Sequence, residues 1–273
     1  MIQYEDLVAL PVVRTKHRIA YGDDALQFGE LWLPDGVPPR TKRATVVLIH
    51  GGCWLAEYSL DHIAAAAEAI ASEGYAVWVP EYRRVGDPGG GWPGTFDDIE
   101  RAVAFVGFLP TIGPMVDPAR VIVAGHSAGG QLALWSASRE QRRRASSATV
   151  TVVGAVSLAG IADMVTYSTL PGDCSAGVVP VMDGVPADVP ERYRAVSPIE
   201  LLPLGVPAHI VHGVRDPIVP AAMSDGFAER ARAAGDRVDV TKITEAGHFD
   251  VIAPGSTAWP AVIAAIRGIG SPE

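Results

Sequence analysis

Within this 273-residue chain the stretch Gly125-His126-Ser127-Ala128-Gly129-Gly130 holds the side chain best placed for nucleophilic chemistry. The uncharged, β-branched run from Val121 leads into it and a helix-compatible stretch, Gln131 to Arg139, follows. A tight strand-to-helix turn should therefore lift the Ser127 hydroxyl clear of a sheet. Glycines at 125 and 129 permit close backbone approach and strained dihedrals. At the start of the helix the Ala128 N–H lacks an intrahelical acceptor and is free to meet an oxyanion. A serine hydroxyl is a poor nucleophile at neutral pH, so acyl transfer also requires a base within reach and an acid that fixes the tautomer of that base.

Two downstream segments offer both partners. His212-Gly213-Val214-Arg215-Asp216 follows the apolar run Val206 to Val211, which puts Asp216 in the loop at a strand's carboxyl end. Ala246-Gly247-His248-Phe249-Asp250 follows Val238 to Ile243 in the same way. The chain order Ser127, Asp216, His248 is one in which serine triads are built. Among the alternatives, His50, His126 and His212 abut strand ends, where a ring more often hydrogen-bonds a loop. His209 lies within a strand, and His17 and His62 have no motif around them. Asp250 is only two residues from His248, and Asp163 follows the wrong strand for that order. His50-Gly51-Gly52-Cys53-Trp54, after the run Ala44 to Ile49, offers small residues and backbone donors for the oxyanion.

Positioning these groups requires strands whose carboxyl ends converge. Val12 to Ile19 and Leu26 to Leu33, broken by Tyr21-Gly22-Asp23-Asp24, read as a leading antiparallel hairpin. A Pro/Arg loop over Val37 to Arg43 precedes the continuous apolar run Ala44 to Ile49, typical of a central strand covered on both faces. Asp61 to Ser72 is helical, Tyr75 to Pro80 is a strand, and Thr95 to Leu109 is an amphipathic helix with Thr95 as its cap. Further strands are expected from Val121, over Val150 to Leu158, over Val206 to Val211 and over Val238 to Ile243. This alternation argues for a parallel sheet with chemistry at the strands' carboxyl ends. Residues 159–204 break the rhythm with scattered Gly, Pro and Asp and brief helical patterns such as Pro190 to Val196; a cap insertion that covers the site is expected there.

Bulk properties narrow the function classes. Half-apolar composition with 19% charged residues is globular, and 273 residues fit one α/β domain spanning 1–273. A net charge of −9 leaves no electrostatic footprint for nucleic acid or an anionic membrane, and Arg142-Arg143-Arg144 reads as a solvated helix end. Cys53 and Cys174 form no disulfide framework or metal-ligand spacing, so a reduced, cytoplasmic setting and no metal or organic cofactor are expected. The N-terminus lacks a basic region followed by an uninterrupted apolar one, and Ala145 to Ala162 reads as loop plus buried strand.

Together the four motifs, His50-Gly51-Gly52-Cys53-Trp54, Gly125 to Gly130, His212-Gly213-x-x-Asp216 with Val219-Pro220, and Gly247-His248-Phe249, resemble those of an α/β-hydrolase of the esterase/lipase and arylformamidase (kynurenine formamidase-like) group. The resemblance implies an α/β-hydrolase fold with a mostly parallel eight-stranded sheet and helices on both faces. It also implies oxyanion amides from Gly52, Cys53 and Ala128. A serine hydrolase of small carboxylic esters, or of an activated amide such as an aryl formamide, is the expected activity. A small-molecule substrate and a homodimer are the expected partners. Trp54, Trp92, Phe249, Met164, Tyr167 and Met182 are the aromatic and soft apolar residues expected to shape the substrate pocket.

Overall fold

In the central strand β3 (Thr45–Ile49), alternate residues part to opposite sides of a sheet. Val46 and Leu48 join one apolar cluster while Val47 and Ile49 join the other, which is why the run is apolar without a break. The computed structural model describes residues 1–13, 16–35, 43–146 and 148–270. The loop expected over 37–43 lies, Arg43 excepted, outside the described residues, as do Arg14 and Thr15 of the first expected strand.

After the short helix α1 (Tyr4–Val8), β1 (Lys16–Ala20) and β2 (Phe28–Trp32) form the leading antiparallel hairpin. The helix α2 (Ala64–Ser72) follows β3 and leads to β4 (Val77–Pro80). Next come α3 (Gly94–Phe105), β5 (Val121–His126), α4 (Ala128–Ser136), α5 (Arg139–Ser146) and β6 (Val152–Leu158). The order in the eight-stranded sheet is β1-β2-β4-β3-β5-β6, then β7 (Ala208–Gly213) and β8 (Val238–Ile243). Pairing is antiparallel from β1 to β4 and parallel from β4 to β8. One face carries α3, α4 and α10 (Ala221–Ala233); the other carries α2 and α11 (Trp259–Gly270). This is the mostly parallel sheet covered on both faces that the alternating pattern anticipates.

Local differences from the sequence reading have physical causes. The helix after the elbow begins at Ala128, not Gln131, so Gly129 and Gly130 sit in its first turn. A Cβ on Gly129 would lie 2.2 Å from Ile49 O and 2.4 Å from His50 O, so only glycine lets α4 start so close to β3. Thr95 is not the cap of α3. Pro93 holds that position, and the Thr95 hydroxyl instead accepts from Gly91 N at 3.0 Å while donating to Arg83 O.

The insertion over 159–204 forms α6 (Met164–Tyr167), α7 (Asp173–Ala176), α8 (Val178–Met182) and α9 (Pro190–Val196). Among the contacts that tie it down, Trp92 N donates to Val181 O at 2.8 Å, and a disulfide joins Cys174 to Cys53 with Cα atoms 4.9 Å apart. Cys53 and Cys174, from which no disulfide framework is expected on sequence, are thus paired with each other. The partners are 121 residues apart in sequence, and only the folding of the insertion against the loop after β3 brings them together.

Candidate active site

Ser127 stands between β5 and α4 with φ 56° and ψ −119°, a conformation that a Cβ-bearing residue holds only under constraint. That constraint comes from both sides of the turn. Its N–H donates to Leu158 O at 2.9 Å, and its carbonyl accepts from Gly130 N at 2.9 Å and Gln131 N at 3.2 Å. The side chain is almost wholly buried, yet it lines a cleft of about 330 Å³, and among the described residues its hydroxyl has no hydrogen-bond partner.

His248 lines the same cleft from the loop after β8. Its Nδ1 donates to Asp216 Oδ2 at 2.6 Å, which leaves Nε2 as the acceptor. The Asp216 carboxylate is fully buried at the end of β7. Its Oδ1 accepts from Ile218 N and Val219 N, each at 2.8 Å, and His212 Nε2 approaches Oδ2 at 3.2 Å. Burial alone would raise this carboxyl's pKa; the bonds from His212, His248 and Val219 outweigh it and hold the group well below the usual carboxylate range.

The loop after β3 supplies the third part. Gly52, Cys53 and Trp54 have φ of 101°, 55° and 58°, a run of left-handed residues that turns successive amides in one direction. A Cβ on Gly51 would meet His126 O at 2.7 Å and Ser127 Cβ at 3.0 Å, which shows how closely the loop approaches the elbow. The N–H groups of Gly52, Cys53 and Ala128 have no acceptor among the described residues. They are free for an anion.

Beneath the loop lies a polar scaffold. Both His50 ring nitrogens face oxygens, Gly51 O and Glu81 Oε1, each at 2.8 Å, and the ring stacks on Tyr82. Glu81 also accepts from Leu60 N, Tyr82 N and Arg84, and Arg84 donates to Tyr58 O. Burial pushes the Glu81 carboxyl upward, but His50 and Arg84 bring it below its ordinary value. Asp250 shapes the His248 loop by accepting from Gly247 N at 2.9 Å, and Asp163 caps α6. Neither contacts His248 as an acid would.

Of the residues expected to shape the pocket, only Phe249 lines this cleft; its ring lies 5.1 Å from His248. Trp54 is corrected to a core residue. It is completely buried, and its Nε1 donates to Gln131 Oε1 at 3.1 Å, so it anchors the loop after β3 from below. Met164 and Met182 are likewise buried in the core. Tyr167 reaches Ile218 O with its hydroxyl at 3.1 Å and so supports the wall from behind. Trp92 packs with Phe96 and lines a separate pocket of about 250 Å³ with Trp135. Large apolar side chains near strand ends are drawn first into packing, and the cleft wall is left to others.

Those others are Tyr4 and Glu5 of α1, Glu57 and Tyr58 of the loop, His62 and Ile218. No residue of 159–204 lines the cleft, so the insertion braces the loop after β3 instead of covering the pocket. A chain-terminal helix carries no local signature of a site, and His62 stands in an otherwise ordinary helical pattern. His126 donates through Nε2 to His248 O at 2.9 Å; burial foremost, with His248 and His62 nearby, keeps it neutral. Burial lowers His62 to about 3 in the same way. Among the described residues no cluster of side chains is suited to hold a metal ion.

With the geometry in hand, comparison with known proteins places the chain. A family model described as BD-FAE matches residues 32–230, a span that includes Ser127 and Asp216 and stops short of His248. Esterase LipC of Mycobacterium tuberculosis is 28% identical over 252 residues, covering 87% of this chain and 60% of that protein. Esterase LipQ of the same organism is 25% identical over 269 residues, covering 90% and 62%. The chain thus spans about three fifths of the length of these relatives. A truncated carbohydrate esterase from gut microbiota superposes with a TM-score of 0.78 at 18% identity, covering 94% of this chain and 96% of that one. A propionate-bound esterase from Thermogutta terrifontis gives 0.72 at 21% identity, with the same coverage. What these structures share with the chain is the α/β-hydrolase fold.

Proposed function

Because the chain belongs to the BD-FAE family, we propose that it is a serine carboxylesterase of small esters, working through Ser127, His248 and Asp216. The observation that carries this reading is one cleft lined by the strained Ser127, the Asp216-fixed imidazole of His248, and Gly52 and Cys53 with their free amides; the free amide of Ala128 follows Ser127 directly in the chain. Ser127 Oγ attacks the ester carbonyl as His248 Nε2 takes its proton, and the amides receive the oxyanion. Collapse of the tetrahedral adduct breaks the carbonyl–alkoxy bond, His248 returns the proton to the departing alcohol, and water repeats the sequence on the acyl-enzyme. Asp216 holds the tautomer and stabilises the imidazolium. No cofactor takes part in these steps.

Tyr4, Tyr58 and Phe249 around the cleft favour planar groups, which supports an aryl formamide as the second substrate class. We treat 1–273 as one catalytic domain. Self-association as a homodimer belongs to the same reading and is checked by sedimentation velocity. No described helix is long and apolar enough to cross a membrane. The cytoplasmic expectation rested on unpaired cysteines and loses that support, since such a disulfide persists best in an oxidising compartment. The direct test is turnover of a short aryl acetate by the wild type and by Ser127→Ala. Hydrolysis lost in the variant supports the proposal, and hydrolysis retained at the wild-type rate would remove it.

A further inference from the structure

Resting on the esterase reading, we infer that the outer wall of the cleft is a cation-accepting subsite, which selects esters bearing a quaternary or protonated amine over isosteric neutral and anionic ones. The wall is formed by Tyr4 and Glu5 from α1, Glu57 and Tyr58 from the oxyanion loop, His62, and Phe249 beside the base. Tyr4 is the hub of its rings. It lies edge-on to Tyr58 at 5.4 Å, 5.7 Å from His62 and 6.2 Å from Phe249, centroid to centroid.

Aromatic faces carry negative quadrupole density and attract ammonium groups. Two exposed carboxylates belong to the same wall. Glu5 and Glu57 both reach the cleft, and neither forms an ion pair among the described residues. The cleft lining contains no lysine or arginine to neutralise them. The phenols sense this field. Tyr4 and Tyr58 are both raised above the ordinary value, first by burial and then by neighbouring acidic groups that include Glu57 and Glu5.

His62 adds an independent sign that the wall awaits a ligand with positive or donor character. Its Nδ1 lies 2.7 Å from Ser59 O, and a carbonyl can only accept, so the proton sits on Nδ1 and Nε2 presents a lone pair. The ring is 3% exposed and lines the cleft, and Nε2 has no partner among the described residues. Rings, carboxylates and a bare imidazole lone pair all complement a cation. An anionic substrate would meet repulsion from Glu5 and Glu57 at the mouth. A neutral alkyl group of equal size would gain the ring contacts without the charge.

The test compares kcat/KM of the full-length wild type for three acetates or short esters of similar size: the choline ester, its carbon isostere with carbon replacing the quaternary nitrogen, and a succinate half-ester. The expected preference for choline over the isostere is about 3- to 5-fold at low salt, the range of a partly exposed cation–π contact. It should shrink as salt screens the carboxylates. The paired substitutions Glu5→Gln and Glu57→Gln should lower the ratio, and tetramethylammonium should compete with a neutral aryl acetate more weakly in that variant than in the wild type. If the isostere is hydrolysed at least as well as the choline ester, the inference is overturned while the esterase reading stands. If no ester in the series is hydrolysed, the esterase reading fails and the inference falls with it.

Discussion

Replacing Asp216 by Asn keeps the shape of the side chain but turns one of its oxygens into a donor, and the surrounding bonds decide which one. At the Oδ1 position two backbone N–H groups, from Ile218 and Val219, converge at 2.8 Å. An amide NH₂ there would leave both donors buried without an acceptor, each costing about 1–3 kcal/mol. At the Oδ2 position the neighbours are His248 Nδ1 at 2.6 Å and His212 Nε2 at 3.2 Å. His212 keeps another acceptor in Val219 O at 2.9 Å, and His248 can shift its proton to Nε2. The NH₂ therefore turns toward the histidines and accepts the smaller loss. His248 is then fixed with Nδ1 as acceptor and Nε2 protonated, the tautomer that cannot take the Ser127 proton. Stability should fall by about 1–3 kcal/mol, from the one bond weakened. The kcat for a short aryl acetate should fall about 10³- to 10⁴-fold, as when other triads lose this carboxylate. Steady-state kinetics and chemical denaturation on the same preparation separate the two. A folded Asp216→Asn protein with kcat within about ten-fold of wild type would refute the tautomer reasoning.

Glu81→Ala should cost about 3–5 kcal/mol, because it strands His50 and Arg84 without their shared carboxylate; urea midpoints measure it, and an unchanged midpoint would show that the scaffold under the loop after β3 is dispensable. Cys174→Ser should cost about 2–4 kcal/mol under non-reducing conditions by opening the cross-link to Cys53. Alkylation of the unfolded, unreduced wild type should label neither cysteine, and labelling of both would contradict the pairing. His62, lowered to about 3 by burial, is neutral in the fold while its unfolded form binds a proton near the ordinary imidazole value of 6.5. Stability should accordingly be intact above that pH and be lost progressively as the pH falls from 6.5 toward 3. His62→Gln should flatten the part of that loss due to this ring, and identical pH profiles for the two proteins would count against it.

The sheet was legible because burial on both faces writes unbroken apolar runs, and β8 coincides with its expected bounds, Val238–Ile243. The placing of Ser127, Asp216 and His248 beyond strand ends was legible for a related reason. Each sits directly after such a run, where glycines and turn residues interrupt it. Pocket walls leave no such mark. Trp54, Met164 and Met182 are the kind of side chain that could line a pocket, but the same apolar surface is satisfied by the core. Tyr4 and Glu5 come from a five-residue helix at the opposite end of the chain from His248, and only the closing of α1 over the base loop, through Ile2 N to Asp250 Oδ2, puts them at the cleft. The Cys53–Cys174 pair was hidden by the same long-range closure.

Covalent labelling of the nucleophile tests the central claim most directly. A fluorophosphonate incubated with the intact wild-type chain should leave a single adduct, found by peptide mapping on Ser127 between Gly125 and Gly129, with loss of aryl acetate hydrolysis in step with labelling. Ser127→Ala should remain unlabelled. An adduct on Ser157 or Ser175, or hydrolysis that proceeds in a chain labelled to completion at Ser127, would contradict the account.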